Sequence, residues 1–101
     1  MATKKPTFEQ VKKALEDYCE KHAGGKGDLI VRKPKDAKAY SEYASDKAIC
    51  WVSVDGCDLY NIVNFHCGVK AFDAFQKFMD DLGCWFELGN AWNFNVFRVG
   101  E

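Results

Sequence analysis

The residues His66, Cys67 and Gly68 form the most reactive-looking group in this 101-residue sequence. The group precedes a predicted helix, and a thiolate at a helix N-terminus has its pKa lowered by the helix dipole and by a neighbouring imidazolium. Adjacent side chains of an extended chain point to opposite sides, so His66 is poorly placed to act as the base for Cys67, and His22 is far away in sequence. A thiol enzyme at Cys67 is therefore the third hypothesis, and no catalytic residue is assigned.

Neither a metal nor a cofactor is expected from the pattern of ligand-type residues. Structural zinc sites use closely paired ligands, whereas the five cysteines here are isolated from one another. Residues 24–27 (GGKG) lack the spacing of a phosphate-binding loop and instead end a predicted helix. The odd cysteine number and the absence of a signal-like apolar segment before that helix predict reduced thiols in the cytoplasm. No apolar run is long enough to span a membrane.

Basic and aromatic side chains alternate in residues 32–47, a composition that binds phosphates and stacks bases. Nucleic-acid or nucleotide binding through this segment is the alternative function. Its candidate residues are Arg32, Lys33, Lys35, Lys38 and Lys47. Acidic residues dilute the segment, and the whole chain has a net charge of -1, so an ordinary solvated loop is the competing interpretation.

Two helices are predicted. Thr7 and Gln10 have the spacing of a capping box, which starts the first helix, and Gly24-Gly25 ends it. The second helix covers Val69–Leu82 and has Gly83 just past its end, where glycine favours termination. Its apolar stripe requires burial and consists of Phe72, Phe75, Phe78, Met79 and Leu82.

The remaining pattern predicts strands. Residues 29–31 indicate an edge strand limited by Pro34, and residues 34–47 form either a short helix capped by Asp36 or a surface loop. Residues 49–54 and 59–65 flank Asp55-Gly56, a strong hairpin signal. Residues 84–88 and 91–99 flank Gly89-Asn90 and predict a second hairpin.

This order of elements predicts an α+β fold, a two-layer sandwich with a mainly antiparallel sheet of about five strands and two helices on one face. The predicted order is α-β-(loop or short α)-β-β-α-β-β. We expect residues 1–101 to form a single domain, because neither half could bury a sufficient core alone, with residues 1–6 as a frayed leader.

The sheet face away from the helices carries the functional prediction. Asn93 and Asn95 share one side of the last strand, and Phe97 and Val99 then fall on that same side, which suggests a bulge or a change of cover. If this face is open, it is an interface, because aromatic anchors dominate binding energy. If residues 34–47 or strand twist cover it, no such surface exists.

The leading hypothesis is a small, non-enzymatic, protein-binding module that acts as an inhibitor, adaptor or immunity-like factor. Its partner is another protein or a second copy of this chain in a homodimer. The residues predicted to bind the partner are Trp51, Tyr60, Trp92, Asn93, Asn95, Tyr40 and Tyr43.

Overall fold

The computed structural model describes residues 5–100, so most of the predicted leader lies outside the described residues. Helices and strands within this range follow the order α-β-α-β-α-α-β-β. They are α1 (Phe8–His22), β1 (Ile30–Arg32), α2 (Pro34–Ala37), β2 (Cys50–Ser53), α3 (Leu59–Val63), α4 (Val69–Leu82), β3 (Cys84–Asn90) and β4 (Asn93–Arg98).

The four strands form one antiparallel sheet in the order β1-β2-β4-β3. The second predicted hairpin is confirmed as β3 and β4, but its turn lies at residues 91–92, because Gly89 and Asn90 belong to β3. Strand β1 is the predicted short edge strand. In register, Trp51 of β2 lies opposite Asn95 of β4, which in turn lies opposite Glu87 of β3. These three residues therefore share one face, called here the second face.

Both long helices match the prediction. The Thr7 hydroxyl accepts a hydrogen bond from the Gln10 backbone N–H, while the Gln10 side chain accepts one from the Thr7 backbone N–H, so the capping box is complete. Helix α4 ends at Gly83, whose φ of 82° lies in the left-handed region that glycine adopts without a Cβ penalty.

Helices α1, α3 and α4 pack against the opposite sheet face, called here the first face, and enclose the main core. Phe75 of α4 lies at its centre and contacts the rings of Tyr18, Phe86 and Phe94 at centroid distances of 5.3, 5.1 and 6.0 Å. All three contacts are edge-to-face, an arrangement that adds to the stabilisation from area burial.

The strand predicted over residues 59–65 is wrong, and so is the hairpin predicted around Asp55-Gly56, because this stretch contains the helix α3. The sheet of the described residues therefore has four strands in place of about five. Leu59, Ile62 and Val63 stand at positions i, i+3 and i+4, and a single helical turn buries all three against the core. A short apolar run fits both the helical and the strand period, so tertiary burial decides which of the two forms.

Residues 34–47 combine the two predicted alternatives. Pro34 occupies the first turn of α2, where its missing N–H costs no hydrogen bond, and Asp36 lies inside that turn rather than capping it. After Ala37 the chain continues in turns up to β2. None of the helices in the described range combines the length and apolarity needed to cross a membrane.

We predict that Phe75→Ala lowers the free energy of unfolding by about 3–5 kcal/mol, because the cavity cannot collapse among rings fixed on three other elements. The adjacent, exposed Gln76→Ala is the control and should change it by less than about 0.5 kcal/mol. Urea unfolding measures both variants, and equal losses would contradict the placement of Phe75 in the core.

Candidate binding surfaces

The segment of residues 34–48 covers the β2 side of the second face. Trp51 is only 2% exposed and packs with Ala37 and Ala44 of this segment, while Trp92 closes the cluster from the side. The two indole rings meet edge-to-face at 6.1 Å. Of the two interpretations of this face, the structure therefore supports cover by residues 34–48 over this part of the sheet.

Two hydrogen bonds from Asn95 attach the covering segment to the sheet. The Asn95 side-chain amide donates to the Tyr43 carbonyl at 2.7 Å, and its Oδ1 accepts from the Ser45 N–H at 3.0 Å. A buried amide without partners would cost about 1–3 kcal/mol, so these bonds make the polar residue compatible with burial.

The predicted protein-binding residues do not all lie on one accessible surface. Trp51, Asn93 and Asn95 are buried on the second face. Tyr60 belongs to α3 and packs against the main core on the first face. Tyr40 and Tyr43 are 62% and 45% exposed and remain available to a partner.

An exposed aromatic pair lies where the cover of the second face ends. Trp85 of the edge strand β3 is 42% exposed and stacks on Phe97 of β4, with ring centroids 4.4 Å apart and planes 21° from parallel. Further along β3 on the same face, Glu87 is exposed and Gly89 lies beneath Tyr43. We call Trp85, Phe97, Glu87 and Tyr43 the aromatic patch.

Sequence reasoning did not select Trp85, although a signal for it exists. Cys84, Phe86 and Leu88 alternate with Trp85 and Glu87, so one apolar residue stands on the less apolar side of the strand. Phe97 is the apolar residue that follows Asn93 and Asn95 on one side of the last strand, and it lies where the covering segment ends.

Three of the five predicted nucleic-acid contacts have partners within the chain. The Arg32 guanidinium lies over the Tyr40 ring at 4.3 Å, and Lys38 pairs with Asp46 at 2.6 Å. The Lys33 ammonium lies 5.6 Å from the centre of the Phe8 ring. Lys35 and Lys47 are exposed.

The cysteine and histidine candidates are also placed. Cys67 is exposed, and the neighbouring His66 ring forms a hydrogen bond through Nδ1 with the Asn61 side chain at 3.1 Å. No hydrogen bond joins His66 to Cys67 among the described contacts. Within residues 5–100, no group of three His, Cys, Asp or Glu side chains is arranged to hold a metal ion.

The other four cysteines are buried free thiols. Burial raises the pKa of Cys19, Cys50 and Cys84 above the ordinary thiol value. The Sγ atoms of Cys19 and Cys57 lie 3.7 Å apart and share a weak hydrogen bond. The raised pKa makes Cys19, Cys50 and Cys84 poor nucleophiles, and all four buried cysteines pack as small apolar core groups.

A groove of about 500 Å³ separates α1 from α4. Tyr18 and Phe78 form its floor, with ring centroids 4.4 Å apart. The ion pair between Lys77 and Asp81 lies on its rim, and Asp17, another rim residue, pairs with Lys13. The positive and negative charges along this groove balance, so it favours no particular ligand charge.

Comparisons with protein-family models, curated proteins and solved structures find no significant match to this chain.

We predict that Gly89→Ala lowers the free energy of unfolding by about 1–3 kcal/mol, because a Cβ there would clash with its neighbours. It would meet Asn93 Oδ1 and lie 2.6 Å from Tyr43 Cβ, the fixed base of that side chain. Urea unfolding measures the loss, and backbone NMR shifts should show displacement of Tyr43. The neighbouring Glu87→Ala is the control, and equal stability of the two variants would contradict the close contact.

We also predict that stability falls as pH rises above about 9, the ordinary pKa of Cys50. There the unfolded chain loses the Cys50 proton while the folded chain keeps it, so each further pH unit favours unfolding by up to ~1.4 kcal/mol for this thiol. Urea unfolding between neutral pH and pH ~10 measures the slope. Cys50→Val should reduce it, whereas the exposed Cys67→Val should not, and an unchanged slope in Cys50→Val would refute the role of this thiol.

Proposed function

We propose that this chain is a small, non-enzymatic, protein-binding module of the inhibitor, adaptor or immunity type. Its contact surface is the aromatic patch. The observation that carries the proposal is the exposed, stacked Trp85–Phe97 pair at the place where the cover of the second face ends. Exposed tryptophan with adjacent aromatic support is the composition of binding hot spots.

Stacking on Phe97 gives Trp85 the properties of an anchor. The contact restricts the indole before binding, so less side-chain entropy is lost when a partner covers it. Tyr43 adds a second exposed ring, and its backbone is held by the Asn95 amide. The patch is therefore ordered before a partner arrives, which favours affinity.

The chemistry of the patch defines the partner surface. Glu87 lies between the two aromatic ends of the patch, and the second half of the chain has 3 basic against 7 acidic residues. A complementary partner presents an apolar patch bordered by Lys or Arg. A second copy of this chain would place Glu87 carboxylates near each other, so a different protein fits better than a homodimer.

The nucleic-acid alternative has weaker support. Neutralisation of Lys38 by Asp46 and stacking of Arg32 on Tyr40 leave fewer accessible cations along residues 32–47 than the sequence suggests. The thiol-enzyme hypothesis lacks a base for Cys67, since His66 forms its hydrogen bond with Asn61.

We predict that Trp85→Glu abolishes stoichiometric capture of a protein partner from the native host, because the anchor ring is lost and a charge takes its place. Affinity capture with mass spectrometry measures the ratio of partner to bait. Val69→Glu is the control, because Val69 is also apolar and is more exposed than Trp85, at 63% against 42%, but lies on α4.

Thermal melting monitored by circular dichroism must show that both variants fold. Light scattering of the purified protein identifies a homodimer directly. Equal capture by Trp85→Glu and the native chain, or co-purification of nucleic acid instead of protein, would refute the proposed surface.

A further inference from the structure

A cavity of about 370 Å³ opens where four distant parts of the chain meet. The start of α1, the link from β1 to α2, the approach to β2 and the end of β4 each contribute to its wall. Its lining residues are Phe8, Lys33, Pro34, Lys35, Asp46, Ala48, Ile49 and Arg98. It shares no residue with the aromatic patch, and its volume lies in the range of small-molecule sites.

Positive charge dominates this cavity, which we call the cationic cavity. Three of its four charged lining residues are basic, namely Lys33, Lys35 and Arg98. The fourth, Asp46, pairs at 2.6 Å with Lys38, which is not part of the lining. The ion pair offsets the one carboxylate, so the charges of Lys33 and Lys35 are enough to attract a phosphate-type anion.

Two of the three cations are held in place by the protein. The Arg98 Nε donates to the Pro6 carbonyl at 2.8 Å, which fixes the plane of the guanidinium. The Lys33 ammonium lies over the Phe8 ring, a contact that restricts a flexible side chain. An arginine of fixed orientation beside lysines is the arrangement that recognises phosphate.

The rest of the wall is apolar. Phe8, Pro34, Ala48 and Ile49 offer carbon surface next to the cations. An inorganic anion would use only the charged side, whereas a ligand with an attached ring or short aliphatic group would use both. We propose that the cationic cavity binds a phosphate monoester carried on a small aromatic or apolar group, a ligand class independent of the protein partner proposed above.

The test uses the purified full-length chain and phenyl phosphate as the probe. Titration calorimetry should give saturable binding that is tighter for phenyl phosphate than for inorganic phosphate, and phenol should not bind. Backbone NMR shifts should change around Phe8, Lys33 and Ile49 while those around Trp85 stay constant.

Substitution separates the cavity from general surface charge. The double variant Lys33→Gln, Lys35→Gln should weaken phenyl phosphate binding about tenfold or more, since two charge-assisted contacts are lost. The control variant Lys21→Gln, Lys70→Gln removes two exposed lysines elsewhere and should bind like the native chain. Arg98 is left intact because it also holds the Pro6 carbonyl.

Three outcomes would overturn the proposal. They are no saturable binding of phenyl phosphate at millimolar concentration, equal weakening in both double variants, or equal affinity for phenyl phosphate and inorganic phosphate. Length-dependent binding of a single-stranded oligonucleotide without binding of phenyl phosphate would likewise reject a small-molecule site and favour the nucleic-acid alternative.

Discussion

Burial of the Asn95 side chain in the middle of the sheet is the constraint on which the second face depends. An amide at that position must find a donor and an acceptor, and the backbone of residues 43–45 supplies both. The covering segment has only one turn of helix and no strand, so it has little regular structure to define its path. Its position over the sheet follows instead from these two bonds and from packing of Ala37 and Ala44 on Trp51.

The two faces of the sheet are stabilised in different ways. The first face is covered by apolar side chains of three helices, and its stability comes from burial of carbon surface. Between the second face and the covering segment, three apolar residues are buried, Trp51 of the sheet and Ala37 and Ala44 of the segment, with a polar layer around them. Within that layer, Trp51 Nε1 and Asn93 Oδ1 have no hydrogen-bond partner among the described residues, at a cost of about 1–3 kcal/mol each. The covering segment is thus held less strongly than the helices on the first face.

The sequence predicts those parts of the fold that local rules determine. The capping box at Thr7 and the stripe of α4 each act within a few residues, and both are confirmed. The hairpin of β3 and β4 is confirmed as well, although its turn lies two residues after Gly89-Asn90. Helix α3 and the cover of the second face depend on distant contacts. The spacing of Leu59, Ile62 and Val63 fits both a helix and a strand. Nothing within residues 34–48 indicates that Asn95, far along the chain, forms hydrogen bonds with the backbone of this segment. Likewise, nothing near Arg98 in the sequence indicates that it lies beside Lys33 and Lys35.

The covering segment connects the two candidate surfaces physically. Toward β3 it places Tyr43 over Gly89, at the boundary of the aromatic patch. At its two ends it supplies Pro34, Lys35, Asp46 and Ala48 to the cationic cavity. Because Asn95 holds the middle of this segment, any movement of the segment would change both surfaces together.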